Sequence, residues 1–160
     1  MMKLRNTVFE DIEIGQCAAL VRHVEMSDIT GFAALTGDCN PIHLNQDYAE
    51  HTPFHGIVAH GMWSAAQISA VIGTKLPGPG SVYLSQDLKF VAPVKVGDVI
   101  TTKVTVVDKD YSHGFLTIDC QCTNQRNEEV VFGIATILAP TEKLFIDVES
   151  PEVRLVDNLC

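Results

Sequence analysis

The chain has 160 residues, 46% of them hydrophobic and 19% charged, which suits one globular domain with a real core rather than two domains. Eleven Lys and Arg against 20 Asp and Glu leave a formal charge of −9, a surface that repels a phosphate backbone and disfavours nucleic-acid binding. The most apolar stretch, 61–73, is broken by Ser64, Gln67 and Ser69 and is too short to span a bilayer, so no membrane role is expected.

The opening run, Met1 to Asn6, leads into Glu10, Asp11 and Glu13 with no apolar segment, which argues against a secretory signal. The five cysteines (Cys17, Cys39, Cys120, Cys122 and Cys160) are odd in number and lack a Cys-x-x-Cys spacing. They fit neither a disulfide framework nor a zinc knuckle, and reduced thiols in a cytoplasmic protein are expected. Residues 15–24 read as a first strand. Ser27 then offers an N-cap hydroxyl, Asp28 sits in the first turn, and Ile29, Phe32, Ala33 and Thr36 recur at helical spacing until Gly37 closes the helix.

Residues 38–59 form a long connection with Asp38, Asn40, Pro41, Pro53 and Gly56, and Tyr48 marks one helical turn inside it. From His60 to Thr74 the chain is apolar on nearly every side, as expected of a helix buried all round, and Leu76-Pro77-Gly78-Pro79-Gly80 ends it. The period then drops to two. Val82, Leu84, Leu88 and Phe90 alternate with Tyr83, Ser85, Asp87 and Lys89, and strands follow at 99–107, 114–123 and 129–138. Cys120 and Cys122 would share one face of their strand as packing.

Short connections between these four strands call for antiparallel neighbours. The fold class is therefore α+β: a curved antiparallel sheet wrapped around a central buried helix at about 60–74. The sheet would keep an exposed edge that a homodimer covers. The domain spans 1–140, and the tail 141–160, interrupted by Pro151, receives no role.

Two clusters could carry chemistry. In Thr36-Gly37-Asp38-Cys39-Asn40-Pro41-Ile42-His43, a carboxylate and an imidazole five apart in a proline-stiffened loop can grip one water and exchange protons with it. The plainer reading is an Asx turn and a satisfied buried histidine. In His60-Gly61-Met62, a glycine opens the buried helix, where a free N–H could hold a developing oxyanion; tight helix–sheet packing is the competing reading. His43, His51, His55 and His60 fall within eighteen residues, but without His-Glu-x-x-His or a cysteine pair no metal site is expected.

Together Leu35 to His43, His60-Gly61-Met62, Leu76 to Leu84 and Phe90-x-x-Pro93-Val94-x-Val96-Gly97-Asp98 resemble the MaoC-like, (R)-specific enoyl-CoA hydratases, whose Asp-x-Asn-Pro-x-His signature is complete here. The resemblance covers about residues 10–140 and implies a single hotdog domain, a homodimer, and an acyl-CoA thioester as substrate. It implies Asp38 and His43 as the catalytic pair that activates water and Gly61 as the N–H that polarises the thioester carbonyl. Asn40, His60 and Ser69 would contact substrate, with Ser64 competing with Ser69. No cofactor is implied beyond the coenzyme A carried by the substrate. Lys75, Lys89 and Lys95 are candidates to offset its negative charge. The (R)-3-hydroxyacyl product would suit a polyester synthase, as in polyhydroxyalkanoate precursor supply, or a dehydrogenase. A hotdog acyl-CoA thioesterase and a non-catalytic acyl-CoA-binding module are the alternatives.

Overall fold

A computed structural model of the chain describes residues 2–149. Pro151 and Cys160 lie outside the described residues. The elements in chain order are β1 (Met2–Arg5), a 3-10 turn (Phe9–Asp11), β2 (Cys17–His23), α1 (Met26–Thr36), α2 (Pro41–Leu44), α3 (Gln46–Glu50) and α4 (Gly61–Thr74), followed by β3 (Val82–Phe90), β4 (Val99–Asp110), β5 (Phe115–Thr123), β6 (Glu129–Leu138) and β7 (Phe145–Val148). Five strands form one antiparallel sheet in the order β2-β4-β5-β6-β3. Helix α4 packs on it, the hotdog arrangement of one helix in a curved sheet. Among the described residues no helix is long and apolar enough to cross a membrane.

Helix α1 starts two residues earlier than an N-cap at Ser27 implies, because a better cap is present at Glu25. The Glu25 side chain accepts from the Asp28 backbone and Asp28 Oδ2 accepts from the Glu25 N–H at 2.9 Å, a reciprocal box that uses carboxylates where Ser27 offers only a hydroxyl. Arg22 fastens the same Asp28 at 2.6 Å. Gly37 ends the helix at φ 76°, its N–H donating to the Ala33 carbonyl.

The strand order departs from simple succession. β3 pairs with β6 at the far edge of the sheet, not with β4. The connection between β3 and β4 crosses one end of the sheet, where Ala59 N–H donates to the Val94 carbonyl and Val58 bridges Lys95. The crossing places the end of the long loop beside the start of α4. A bulge between Tyr83 and Ser85 shifts the strand by one residue, so the alternation read from sequence fails in its first half.

Helix α4 is not buried all round. Trp63, Ser64, Ile68, Val71 and Ile72 face the core, whereas Gly61, Met62, Ala66, Ser69 and Gly73 are exposed, Met62 at 60%. The sheet reaches round one side of the helix only, and its other side is one wall of a cleft.

Part of the tail, up to residue 149, is among the described residues and carries a strand. β7 pairs with β1, and Asn6 clamps the junction: its Nδ2 donates to the Pro79 and Glu142 carbonyls and its Oδ1 accepts from Leu144 N–H. A four-residue strand pairing over 140 residues away leaves little periodic signal.

Cys120 and Cys122 pack in the core as expected. Burial pushes the Cys120 thiol up to about 12 from an ordinary 9.0 and raises Cys122 as well. Between those values the folded chain holds protons that the unfolded chain releases, so this contribution to stability is present below about pH 9 and falls as pH rises towards 12. Urea melts at pH 8 and pH 10.5 are expected to show a lower midpoint at pH 10.5, and neither thiol should react with a thiol reagent at pH 8 until the chain unfolds. Reaction of both in the native protein would contradict their burial.

Candidate active site

The loop after α1 is built from short side-chain caps. Asp38 Oδ1 accepts from the Asn40 N–H at 3.3 Å, and Asn40 Oδ1 in turn caps α2 by accepting from Ile42 N–H at 3.2 Å. Pro41 fills the first helical position, where its missing N–H costs nothing. One turn of helix then turns His43 inward, and Asn45 caps α3 through Tyr48 N–H at 2.9 Å.

His43, 9% exposed, has Nδ1 at 2.7 Å from the Val58 carbonyl. A carbonyl only accepts, so Nδ1 carries the proton and the neutral ring keeps its lone pair on Nε2. His60 Nε2 donates to the backbone carbonyl of Asp38 at 2.9 Å, and its ring stacks on His43 with centres 3.8 Å apart. One carboxylate oxygen of Asp38 and one ring nitrogen each of His43 and His60 all lie within 4.8 Å of one another. A water bonded to two such groups at about 2.8 Å spans that gap, so Asp38 and His43 can share one.

The same trio is the one set of metal-type ligands gathered among the described residues. Its stacked rings do not suit a tetrahedral zinc held by both imidazoles. Two imidazoles on one tetrahedral zinc, each at about 2.0–2.1 Å, keep their ring centres roughly 5 Å apart. Rings stacked at 3.8 Å do not converge on a shared centre.

Asp38 opens onto a cleft of about 800 Å3. One side is Phe32 and Thr36 of α1, the floor is Met62, Ala65, Ala66 and Ser69 of α4, and the far wall is Tyr83, Gln86, Leu88 and Phe90 of β3. Gly61 opens α4 at the Phe90 end, and a Cβ there would lie 3.1 Å from the Phe90 ring. The first N–H groups of a helix have no partner within it, so this end offers donors and a positive dipole. At the other end the Tyr83 hydroxyl donates to Gln86 Oε1, while Gln86 Nε2 donates to the Asp87 and Ile134 carbonyls. Desolvation, with the Cys120 thiol adding to it, pushes the Tyr83 phenol well above its usual range and keeps it neutral.

The structure thus gathers Asp38, His43 and the start of α4 at Gly61 around His60, with Asp38 on the cleft, and separates the other expected residues. Ser69 lines the cleft, whereas Ser64 is 1% exposed and faces the core, because five residues of helix place it on the opposite side. His60 is 2% exposed and bonded to the loop, so it does not line the substrate wall. Asn40 spends its side-chain oxygen on the α2 cap. Lys75 and Lys95 donate to the Ala19 and Phe54 carbonyls, and Lys89 lies over the Phe132 ring. Phe32, Thr36, Tyr83 and Gln86 were not read as site residues. The helical spacing of Phe32 and Thr36 was one signal and the period-two spacing of Gln86 with Leu88 and Phe90 another, whereas the β3 bulge hid Tyr83.

The chain matches the MaoC like domain over residues 13–129. It belongs to that family. It is 48% identical to an (R)-specific enoyl-CoA hydratase of Rhodospirillum rubrum, with 82% of this chain and 91% of that protein covered. It is 43% identical to a 3-hydroxybutyryl-CoA dehydratase of Methylorubrum extorquens, covering 88% and 89%. The structure is similar to that of the R-hydratase PhaJ1 from Pseudomonas aeruginosa, unliganded, at TM-score 0.91 and 39% identity, covering 97% of this chain and all of that one. MaoC-family membership agrees with the signature at Asp38 to His43.

Replacing either member of the pair should stop turnover without unfolding the chain, since Asp38 is exposed and His43 makes a single side-chain bond. Asp38→Asn and His43→Ala are each expected to lose about 10²–10⁴-fold in kcat, the usual worth of a positioned acid or base, with native circular dichroism. A normal kcat in either folded variant would remove that residue from the site.

Proposed function

We propose that the chain is an (R)-specific enoyl-CoA hydratase, adding water to a trans-2-enoyl-CoA to give the (R)-3-hydroxyacyl-CoA and running the reverse dehydration. The observation that carries this reading is the approach of an Asp38 carboxylate oxygen and a His43 ring nitrogen to within 4.8 Å, tied through His60 to the first turn of α4. The names of the relatives support the same chemistry.

In this reaction the thioester carbonyl accepts the Gly61 N–H, and the enoyl chain lies along the apolar floor of α4. The Asp38–His43 pair takes one proton from the bound water as its oxygen bonds to C3. The electron pair of the C2–C3 double bond moves towards the carbonyl, and the resulting enolate oxygen stays on the Gly61 N–H. The pair then returns one proton to C2, so the site ends in its starting protonation state. Every atom comes from substrate and water, and the reaction as written calls for no cofactor.

The reading includes a homodimer. β3 is a sheet edge, and its Val82 and Leu84, with Val91 just beyond it, are exposed, an apolar strip that a second copy of the same edge would cover. A cytoplasmic setting fits the thiol chemistry, and a polymer synthase or a dehydrogenase fits the product.

The test is loss of enoyl-thioester absorbance with crotonyl-CoA and octenoyl-CoA, with a coupled assay for the R alcohol and sedimentation of the same sample. Hydration to the R product by a dimer is expected. Release of free thiol would indicate a thioesterase, binding without turnover would indicate a carrier, and a monomer would remove the dimer.

A further inference from the structure

The proposed reaction gives no task to His60, yet this residue touches every part of the site. Its Nε2 donates to the Asp38 carbonyl 22 positions away, its ring stacks on His43 at 3.8 Å and 27°, and its own peptide group carries the Gly61 N–H. Its carbonyl accepts from Trp63 N–H at 3.0 Å, which fixes the direction of that peptide at the start of α4. The side chain is 2% exposed, and its Nδ1 is the one buried side-chain nitrogen or oxygen without a partner among the described residues.

That bare nitrogen is informative. A buried polar atom without a partner is unfavourable, and an apolar ring of similar size would fill the place without that penalty. Packing alone therefore favours phenylalanine here. Histidine keeps one thing that phenylalanine lacks, the Nε2–H held on the Asp38 backbone.

We propose that His60 is the positioning residue of the hydratase site, holding the water-activating pair in register with the N–H that receives the enolate oxygen. This rests on the hydratase reading. His60 touches no substrate. It acts by joining the loop of Asp38, the ring of His43 and the first peptide of α4 into one rigid unit, and misplacement of a reacting group by about 1 Å can cost ~10²-fold in rate.

Two substitutions separate the bond from the packing. His60→Phe keeps a ring against His43 and drops the donor. His60→Gln keeps a donor of similar reach and drops the ring. With crotonyl-CoA, His60→Phe is expected to lose about 10²-fold in kcat with KM changed less than about threefold, while its melting midpoint stays at or above the wild-type value. His60→Gln is expected to melt lower yet recover at least about tenfold of that loss.

A structural role predicts the opposite order, with rates following the melting midpoints. That order, a wild-type rate in His60→Phe, or equal losses in both variants would overturn the proposal while leaving the hydratase reading intact. A wild-type chain that turns over no enoyl-CoA would overturn both.

Discussion

Helix α4 is held to the sheet through one side only. Trp63, Ile68, Val71 and Ile72 are driven into the core at about 1.5–3 kcal/mol each, and they fix the helix along its length. The opposite side is made of small or flexible residues that line the cleft. That one-sided burial creates the cleft, supplies its floor, and leaves the amino end of the helix, with its unpaired N–H groups, facing the substrate space. A helix wrapped on all sides would give a stable fold without a site.

The acid–base pair is brought to that helix end by polar contacts rather than by hydrophobic packing. Asp38 and His43 lie on a loop whose shape comes from Asx-type caps at Asp38, Asn40 and Asn45 and from the proline at position 41. Two imidazole bonds then fasten the loop across the molecule, His43 to the Val58 carbonyl and His60 to that of Asp38. Val58 is itself bridged to Lys95, whose ammonium donates to the Phe54 carbonyl. The β3–β4 connection that the strand order sends across this end is therefore part of the support of the site.

Much of this was legible in the sequence. The spacing of Ile29, Phe32, Ala33 and Thr36 marked α1, the change from period 3.6 to period 2 marked the passage from α4 to the strands, and the Asp38 to His43 signature marked the pair. What stayed hidden shares one cause: it depends on contacts between distant segments. The pairing of β3 with β6, the β1–β7 clamp through Asn6 and the bond from His60 to Asp38 leave no local pattern. The β3 bulge reversed the faces of Val82 and Tyr83 relative to the rest of the strand and so concealed Tyr83. The even hydrophobicity of α4 resembled full burial because Gly61, Ala65, Ala66 and Ser69 are small enough to line a cleft as readily as a core.

The central claim is that the first N–H of α4 stabilises the enolate oxygen, and Gly61 allows a direct measurement. His60 has ψ 136°, the extended geometry that a following proline requires, and proline is favoured at the first helical position. Gly61→Pro therefore removes the N–H and keeps the helix, while Gly61→Ala keeps the N–H and places the same Cβ beside Phe90. Compared on crotonyl-CoA, the proline variant is expected to lose about 10²–10³-fold in kcat and the alanine variant far less. A folded proline variant as active as the alanine variant would contradict the account.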